Sequence, residues 1–497
     1  MSVRQIILTA LCGLALISCD KGNKTSSPTT SPITSAEGTS DTKKVTEVLS
    51  PFSVTVEEDK TFQGLPALQS FVLATSSDQS KWLMFAGRTN GMHAFGKDNY
   101  EEKSFPTQYF NNQLYVYDLS SKVLSQMSAD AIEQPIGLMF KATNLQHLQQ
   151  GNSLYIAGGY GENTIAKSNN MLERWTTYAY MVKIDVDGMI KAIEDNNQSA
   201  LNGCILWGED EAVRATGGEL YQLGDYFYLA GGHVYKGIFS LKKDGSITPT
   251  SQTYLDAVHR FKLSEKNGQL ILSDLTKVTD GKPDNETQFR RRDLPVTPTF
   301  QLLNGTLHEA IAMYAGVFTA PDNKVPGLAA NDNWVWPIYI YNDGSYHIDE
   351  SYEQQSNVYS AANFVVYDPA TEVLYTTILG GIMHENGNEF SNNVLTIKRP
   401  LGDGKPSTSI QQTPMDLNKF YGAEANMIYS TQYKMAVIQS TIFNLSAMDE
   451  GSTTLIGHFY GGIEALTANP GGFGEGKSFA SNKVFKVSIT KQGKAEN

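Results

Sequence analysis

The chain has 497 residues, 40% of them hydrophobic and 10% aromatic, with 43 glycines and 25 tyrosines. That composition is enough for a large core and suits β structure with many turns. A formal charge of −13 argues against nucleic acid as a partner, and three cysteines are too few for a disulfide-stapled scaffold.

Arg4 precedes an apolar run from Ile6 to Ile17, which is shorter than the roughly 20 residues needed to span a bilayer. The run closes on Leu16-Ile17-Ser18-Cys19. This resembles the lipobox of bacterial lipoproteins. The resemblance implies a signal peptide over 1–18, cleavage before Cys19 and acylation of that cysteine with palmitate-type chains. It also implies attachment to a membrane of the cell envelope, and the outer membrane is expected in preference to the inner. Each buried acyl methylene contributes about 0.8 kcal/mol to such an anchor. Losing Arg4 with the signal takes the charge from −13 to −14, and Cys204 becomes the remaining free thiol. Residues 19–50 are rich in Ser, Thr, Pro, Gly and Lys, and they read as a flexible tether with a reach of about 30 Å.

Beyond the tether, one phrase recurs: an apolar, aromatic-rich run that ends on small residues. It appears at Trp82–Gly87, Leu154–Gly159, Tyr226–Gly232, Ala312–Gly316, Leu374–Gly381 and Leu455–Gly462. A β-like run precedes several of these, as at Ser70–Thr75, Glu219–Leu223 and Asn363–Tyr367. An alternating run follows each after a long gap: Gln113–Asp118, Tyr180–Asp185, Val258–Leu263, Pro337–Tyr341, Asn393–Lys398 and Lys483–Ile489. Polar turns such as Val186-Asp187-Gly188-Met189 and Asn342-Asp343-Gly344-Ser345 then lead to a short fourth run. Four antiparallel strands per unit, repeated about six times, is the pattern of an all-β propeller.

The glycine pairs 158–159, 231–232, 380–381 and 461–462 carry a resemblance to the kelch propellers, as do the strands ending in Tyr117-Asp118 and Tyr367-Asp368. It implies a kelch-like β-propeller over 51–490 with a polar tail at 491–497. The repeat spacing of about 65 to 85 residues exceeds an ordinary kelch unit near 50, and long loops account for the excess. The last unit lacks a fourth strand, so Phe52–Val56 is expected to complete it and close the ring.

The long gaps all follow a second strand, so one face of the ring should be elaborated and the other trimmed. Arg88, His93, Arg214, His233, Arg290, Arg292, His384 and Glu424 fall on the elaborated face by this topology. Such groups suit hydroxyl-rich or anionic ligands, because arginine offers a bidentate fork to carboxylate. Alternation places Arg290 and Arg292 on one side and Arg291 on the other.

Motifs of known chemistry lack their context. Gly471–Ser478 matches a phosphate-binding loop in letters but is not followed by a helix pattern, and reads as a glycine loop. Asp185-Val-Asp187-Gly188 lacks a later acidic ligand and reads as a hairpin turn. Tyr346-His347 and Cys204 offer the residue types of a copper radical oxidase, at positions expected to lie apart. No catalytic residue, metal or cofactor is assigned. The expected function is a binding or scaffold lipoprotein that recognises a protein or glycan through its long-loop face. The alternative is a carbohydrate-active enzyme, of sugar epimerase or oxidase type, with its site at the channel mouth.

Overall fold

The computed structural model describes residues 50–92, 104–240, 242, 244, 246–383, 389–402, 404–435, 441–468 and 477–493. Cys19, the tether, His93, His384 and most of the glycine loop at 471–478 lie outside the described residues.

The chain is all-β, and its sheets take a propeller-like arrangement. After β1 (Phe52–Glu58), the first sheet runs β2 (Val72–Thr75), β3 (Lys81–Phe85), β4 (Gln113–Asp118) and β5 (Leu124–Ser128). The second begins with β6 (Gln146–Gln150) and β7 (Ser153–Ala157). Past two short strands, β8 (Tyr160–Glu162) and β9 (Trp175–Thr177), it ends with β10 (Tyr180–Asp185) and β11 (Ile205–Glu209). The third holds β12 (Thr216–Leu223), the long β13 (Tyr226–Gly237), β14 (Thr250–Tyr254), β15 (Val258–Lys266) and β16 (Gln269–Val278). The fourth is β17 (Val296–Leu303), β18 (Thr306–Met313), β19 (Ile338–Tyr341) and β20 (Tyr346–Ile348). The fifth is β21 (Asn363–Asp368), β22 (Val373–Leu379), β23 (Val394–Pro400) and β24 (Thr408–Gln411). β25 (Asn426–Tyr429) opens the sixth, and β26 (Ile442–Asn444) leaves it to pair in parallel with β21. β27 (Thr453–Tyr460) follows, then a separate hairpin of β28 (Ile463–Ala465) and β29 (Ser478–Ala480), then β30 (Val484–Lys491).

The sixth sheet takes its outermost strand from the other end of the chain. β1 pairs antiparallel with β30, from Phe52 opposite Lys491 to Glu58 opposite Phe485. Phe52 and Val54 point into the core while Ser53 and Thr55 face solvent, the period-two pattern of an edge strand with one buried face. Pairing covers the edge that β30 would otherwise expose.

Apolar cores sit between neighbouring sheets in a closed cycle. Leu83 and Val116 of the first sheet meet Leu154 and Val182 of the second. Met181 of the second meets Phe227 and Phe261 of the third, and Tyr228 and Val258 of the third meet Val296 and Ile311 of the fourth. Ala312 and Tyr339 then meet Ile378 and Leu395 of the fifth. Phe364 and Val366 meet Phe459 and Phe485 of the sixth, and Tyr460 and Val484 return to Trp82 and Met84 of the first. β22 is buried along its whole length because sheets cover both its faces.

Two local expectations are corrected. Val186-Asp187-Gly188-Met189 is not a turn into a fourth strand. It begins a helix over Val186–Glu194, with Val186, Met189, Ile190, Ala192 and Ile193 buried along one face. Asp185 caps it, its side chain accepting from the Gly188 N–H at 3.1 Å. The fourth strand of that sheet is β11, further along. The second correction concerns two long gaps read as loops. β8, β9 and β14 lie in them and extend the upper part of β13 into a small sheet above the ring.

Among the described residues, no helix is long and apolar enough to cross a membrane.

Candidate functional site: a polar channel with a belted waist

Six residues line both chambers of a central channel: Ser70, Asn144, Asp293, Ser360 and Glu424, each two or three residues before the strand β2, β6, β17, β21 or β25, and Gly217, the second residue of β12. Backbone hydrogen bonds link them in sequence. The N–H of Asn144 donates to the carbonyl of Ser70 at 3.1 Å, Gly217 to Asn144 at 3.2 Å, and Asp293 to Gly217 at 2.7 Å. Ser360 donates to Asp293 at 2.9 Å and Glu424 to Ser360 at 3.1 Å. Ser70, Asn144, Gly217, Asp293 and Glu424 all adopt positive φ, which turns the chain from the axis into its inner strand. Gly217 is required for a second reason: a Cβ there would lie 2.3 Å from Oδ1 of Asp293.

These six residues form a waist shared by two chambers. The upper chamber, on the long-loop side, has a volume of about 100 Å³ and adds Arg88, His233, Tyr160, Tyr235, Arg292 and Tyr359 to its walls. The lower chamber, of about 210 Å³, adds His147, Glu219, Tyr221, Asn363, Asn426 and Tyr429.

Arg88 is brought in by the turn after β3. Gly87 there has φ +77°, and a Cβ on it would meet the carbonyl oxygen of Gln69 at 2.5 Å. The Arg88 side chain is 2% exposed and lies 4.9 Å over the Phe105 ring. Its Nε and Nη2 have no hydrogen-bond partner among the described residues. Burial lowers its pKa to about 10, so it stays cationic at neutral pH. A buried guanidinium with two unpaired donors is a costly arrangement without an anion to meet it.

Arg292 is neutralised locally. Its guanidinium pairs with the adjacent Asp293 carboxylate, and its Nε donates to the Tyr254 hydroxyl at 2.9 Å. Glu424 has different surroundings. Ser70 Oγ donates to it at 3.0 Å and Asn144 Nδ2 approaches at 3.4 Å. Burial, then the charge of Asp293, push its pKa up to about 8 against the weaker pull of Ser70 and the two arginines. Burial also raises Asp293, but the guanidinium in direct contact opposes this, so Asp293 is the ionised member of the pair. His233 is shifted the other way: burial first, then Arg292 and Arg290, hold it neutral. Its Nδ1 has no partner among the described residues, and its ring packs 5.6 Å from Tyr254 and 5.9 Å from Tyr235.

Of the residues picked out by sequence, Arg88, His233, Arg292 and Glu424 line the upper chamber. Arg290 stands behind it, stacked 3.6 Å over Tyr254 and bonded to Asp284 at 2.9 Å. Arg291 turns the opposite way into the core, donating to the carbonyls of Gln288 and Ala315 beside Trp334. Arg214 is bonded to Glu211 and the Thr177 carbonyl instead of lining either chamber. Tyr346 and His347 lie on an outermost strand of the fourth sheet and Cys204 packs beside the helices of the second, so these oxidase-type groups are not brought together. No cluster of metal-ligating side chains occurs among the described residues. Sequence reasoning did not single out Ser70, Asn144, Glu219 or Ser360. A signal existed, because five of the six waist residues stand two or three positions before an inner strand and the sixth, Gly217, is the second residue of one.

No family model matches the chain, and no curated protein does. Among solved structures, one titled "Structure of YjhT" is similar over 69% of this chain and 84% of that one, with 12% identity and a TM-score of 0.38.

Proposed function

We propose that this protein is a lipid-anchored envelope enzyme whose six-bladed, kelch-like propeller performs proton transfer on a small hydroxylated carboxylate, a sugar acid, in the upper chamber. The observation that carries this reading is Arg88: a buried cation, two of whose donors have no partner among the described residues, in the wall of a polar chamber that also holds Glu424. With Asp293 cancelling Arg292 and Glu424 protonated, Arg88 supplies the net positive charge of that chamber. Its fork would take the carboxylate of the ligand. Glu424, protonated near neutral pH, would act as general acid, and His233, held neutral, would act as general base. Environments that push two groups apart in this way assign the two roles of an epimerase-type proton transfer.

The same geometry favours a small ligand over a broad protein- or glycan-binding face. Titratable groups converge on the axis, while large exposed apolar side chains such as Val123, Ile271 and Leu303 are spread over different sheets. Six blades are supported by the six equivalent waist positions and the closed cycle of six cores. The kelch-like type is supported by Gly158-Gly159, Gly380-Gly381 and Gly461-Gly462, which follow second strands, and by Gly231-Gly232 within the long β13, all at positive φ. Lipid anchoring at Cys19, through a tether over 19–50, rests on the Leu16–Cys19 motif, and outer-membrane placement goes with it. A Cys19→Ser chain should lose labelled palmitate and leave the membrane fraction.

The catalytic test uses hexuronates and their neutral hexose counterparts, followed by exchange NMR in D₂O. A uronate should show accelerated interconversion of its stereoisomers, and Glu424→Gln and His233→Gln should each remove at least about 99% of that rate. Equal binding of the neutral sugar, or full activity in both variants, would refute the reading.

A further inference from the structure

Glu424 lines both chambers, and this gives the channel a second use. The upper chamber is the one assigned to ligand. The lower chamber is roomier, opens toward the trimmed face and contains Glu219, whose carboxyl has no hydrogen-bond or ion-pair partner among the described residues. β12 places it there: Glu219 follows Gly218, where the chain has just left the waist, and sits opposite Ala230 of β13. No arginine or lysine is among the residues lining this chamber.

We propose that Glu219 is the proton-exchange partner of Glu424, passing protons between the lower chamber and the waist so that Glu424 is recharged from the face opposite the ligand. In that step Glu219 gives up its carboxyl proton, through water in the chamber, to the Glu424 carboxylate. The Glu219 carboxylate then takes a proton from solvent, and the balance is one proton moved inward. The inference rests on Glu424 acting as the donor to the ligand. It explains why a carboxyl with no partner among the described residues is kept below the waist, where Asp293 packs against Gly217.

The charged and titratable groups facing this path are few. Glu219 faces Glu424 and, beyond it, Asp293 with its partner Arg292. His147, Tyr221 and Tyr429 complete the lower walls, and Arg88 lies above the waist. The tyrosines are held protonated by burial and His147 is held neutral. The two glutamates are therefore the groups that exchange protons near neutral pH, and like charges in one cavity titrate as a pair.

The test is a pH titration of the full chain with ¹³C-labelled glutamate carboxyls, read by NMR, on wild type, Glu219→Gln, Glu219→Asp and Glu424→Gln. Wild type should show two coupled carboxyls titrating well above the exposed ones. Glu424→Gln should lower the Glu219 midpoint by about one pH unit, and Glu219→Gln should collapse the pair to a single step. Glu219→Asp should keep two steps, which separates loss of the carboxyl from loss of packing. An unchanged Glu219 titration in Glu424→Gln would overturn the proposal. On a uronate that is turned over, Glu219→Gln should lower kcat at least about tenfold with KM little changed, whereas a change confined to KM would overturn it. The titration needs no substrate, so it can fail while the sugar-acid reading stands, and the reverse also holds.

Discussion

Phe52→Ala tests the closure of the ring. Phe52 is 1% exposed, and its ring lies 5.7 Å edge-on from Tyr375 and 6.5 Å from Phe364, so it joins the sixth sheet to the fifth. Truncating a buried phenylalanine costs about 3–5 kcal/mol, and the two aromatic contacts place this site in the upper part of that range. Ser53, one residue on, faces solvent, so Ser53→Ala should stay within about 0.5 kcal/mol. Urea unfolding of the mature chain, followed by tryptophan fluorescence, gives both midpoints on one slope. A Phe52→Ala cost below about 1 kcal/mol would mean that β1 does not pin the ring. Equal costs for the two variants would mean that the alternation of β1 has been misassigned.

Arg88→Met removes a buried cation with two donors unpartnered among the described residues, so it should stabilise the fold by about 1–3 kcal/mol while weakening uronate binding at least tenfold; calorimetry reads both. Gly217→Ala forces a side chain into positive φ and against Asp293, and should cost at least about 1 kcal/mol in thermal unfolding. The sign of the pH dependence follows from Glu219, whose folded pKa is raised from 4.5 to about 8 by burial and then by Glu424. The folded state binds the extra proton between those values, so stability should fall as pH rises through this window. Glu219→Gln should lose less over the same window and match wild type near pH 4; a parallel pH profile in the variant would contradict the assignment.

Much of the ring was legible in the sequence because its cause is local. The glycine pairs at 158–159, 380–381 and 461–462, just past second strands, and at 231–232, within the long β13, all adopt positive φ, a conformation that selects glycine. The alternating third strands β4, β10, β15, β19, β23 and β30 were readable from period-two patterning. The helix after Asp185 was misread because Asp-x-Asp-Gly suits both a hairpin turn and a capped helix start, and the buried face at Met189, Ile190 and Ile193 decides between them. The site was harder to see. Arg88, His233, Arg292 and Glu424 could be placed by topology, since each flanks a strand on the same side. Arg214 could not be separated from them, because its partner Glu211 lies only three residues away and either reading satisfies it. Glu219 looked like an ordinary strand residue. Its meaning depends on Glu424, about two hundred positions distant, which only closure of the ring brings near.

The course of β1 also sets the side from which the chain enters the ring of sheets. Glu58 lies level with the top of β30, beside Phe485, and Phe52 lies at the opposite end, beside Lys491. The polypeptide therefore joins the propeller-like body from underneath, on the side remote from Arg88. Whatever precedes Ser50 thus meets the propeller on the side of Glu219, and the chamber holding Arg88 is left clear of it.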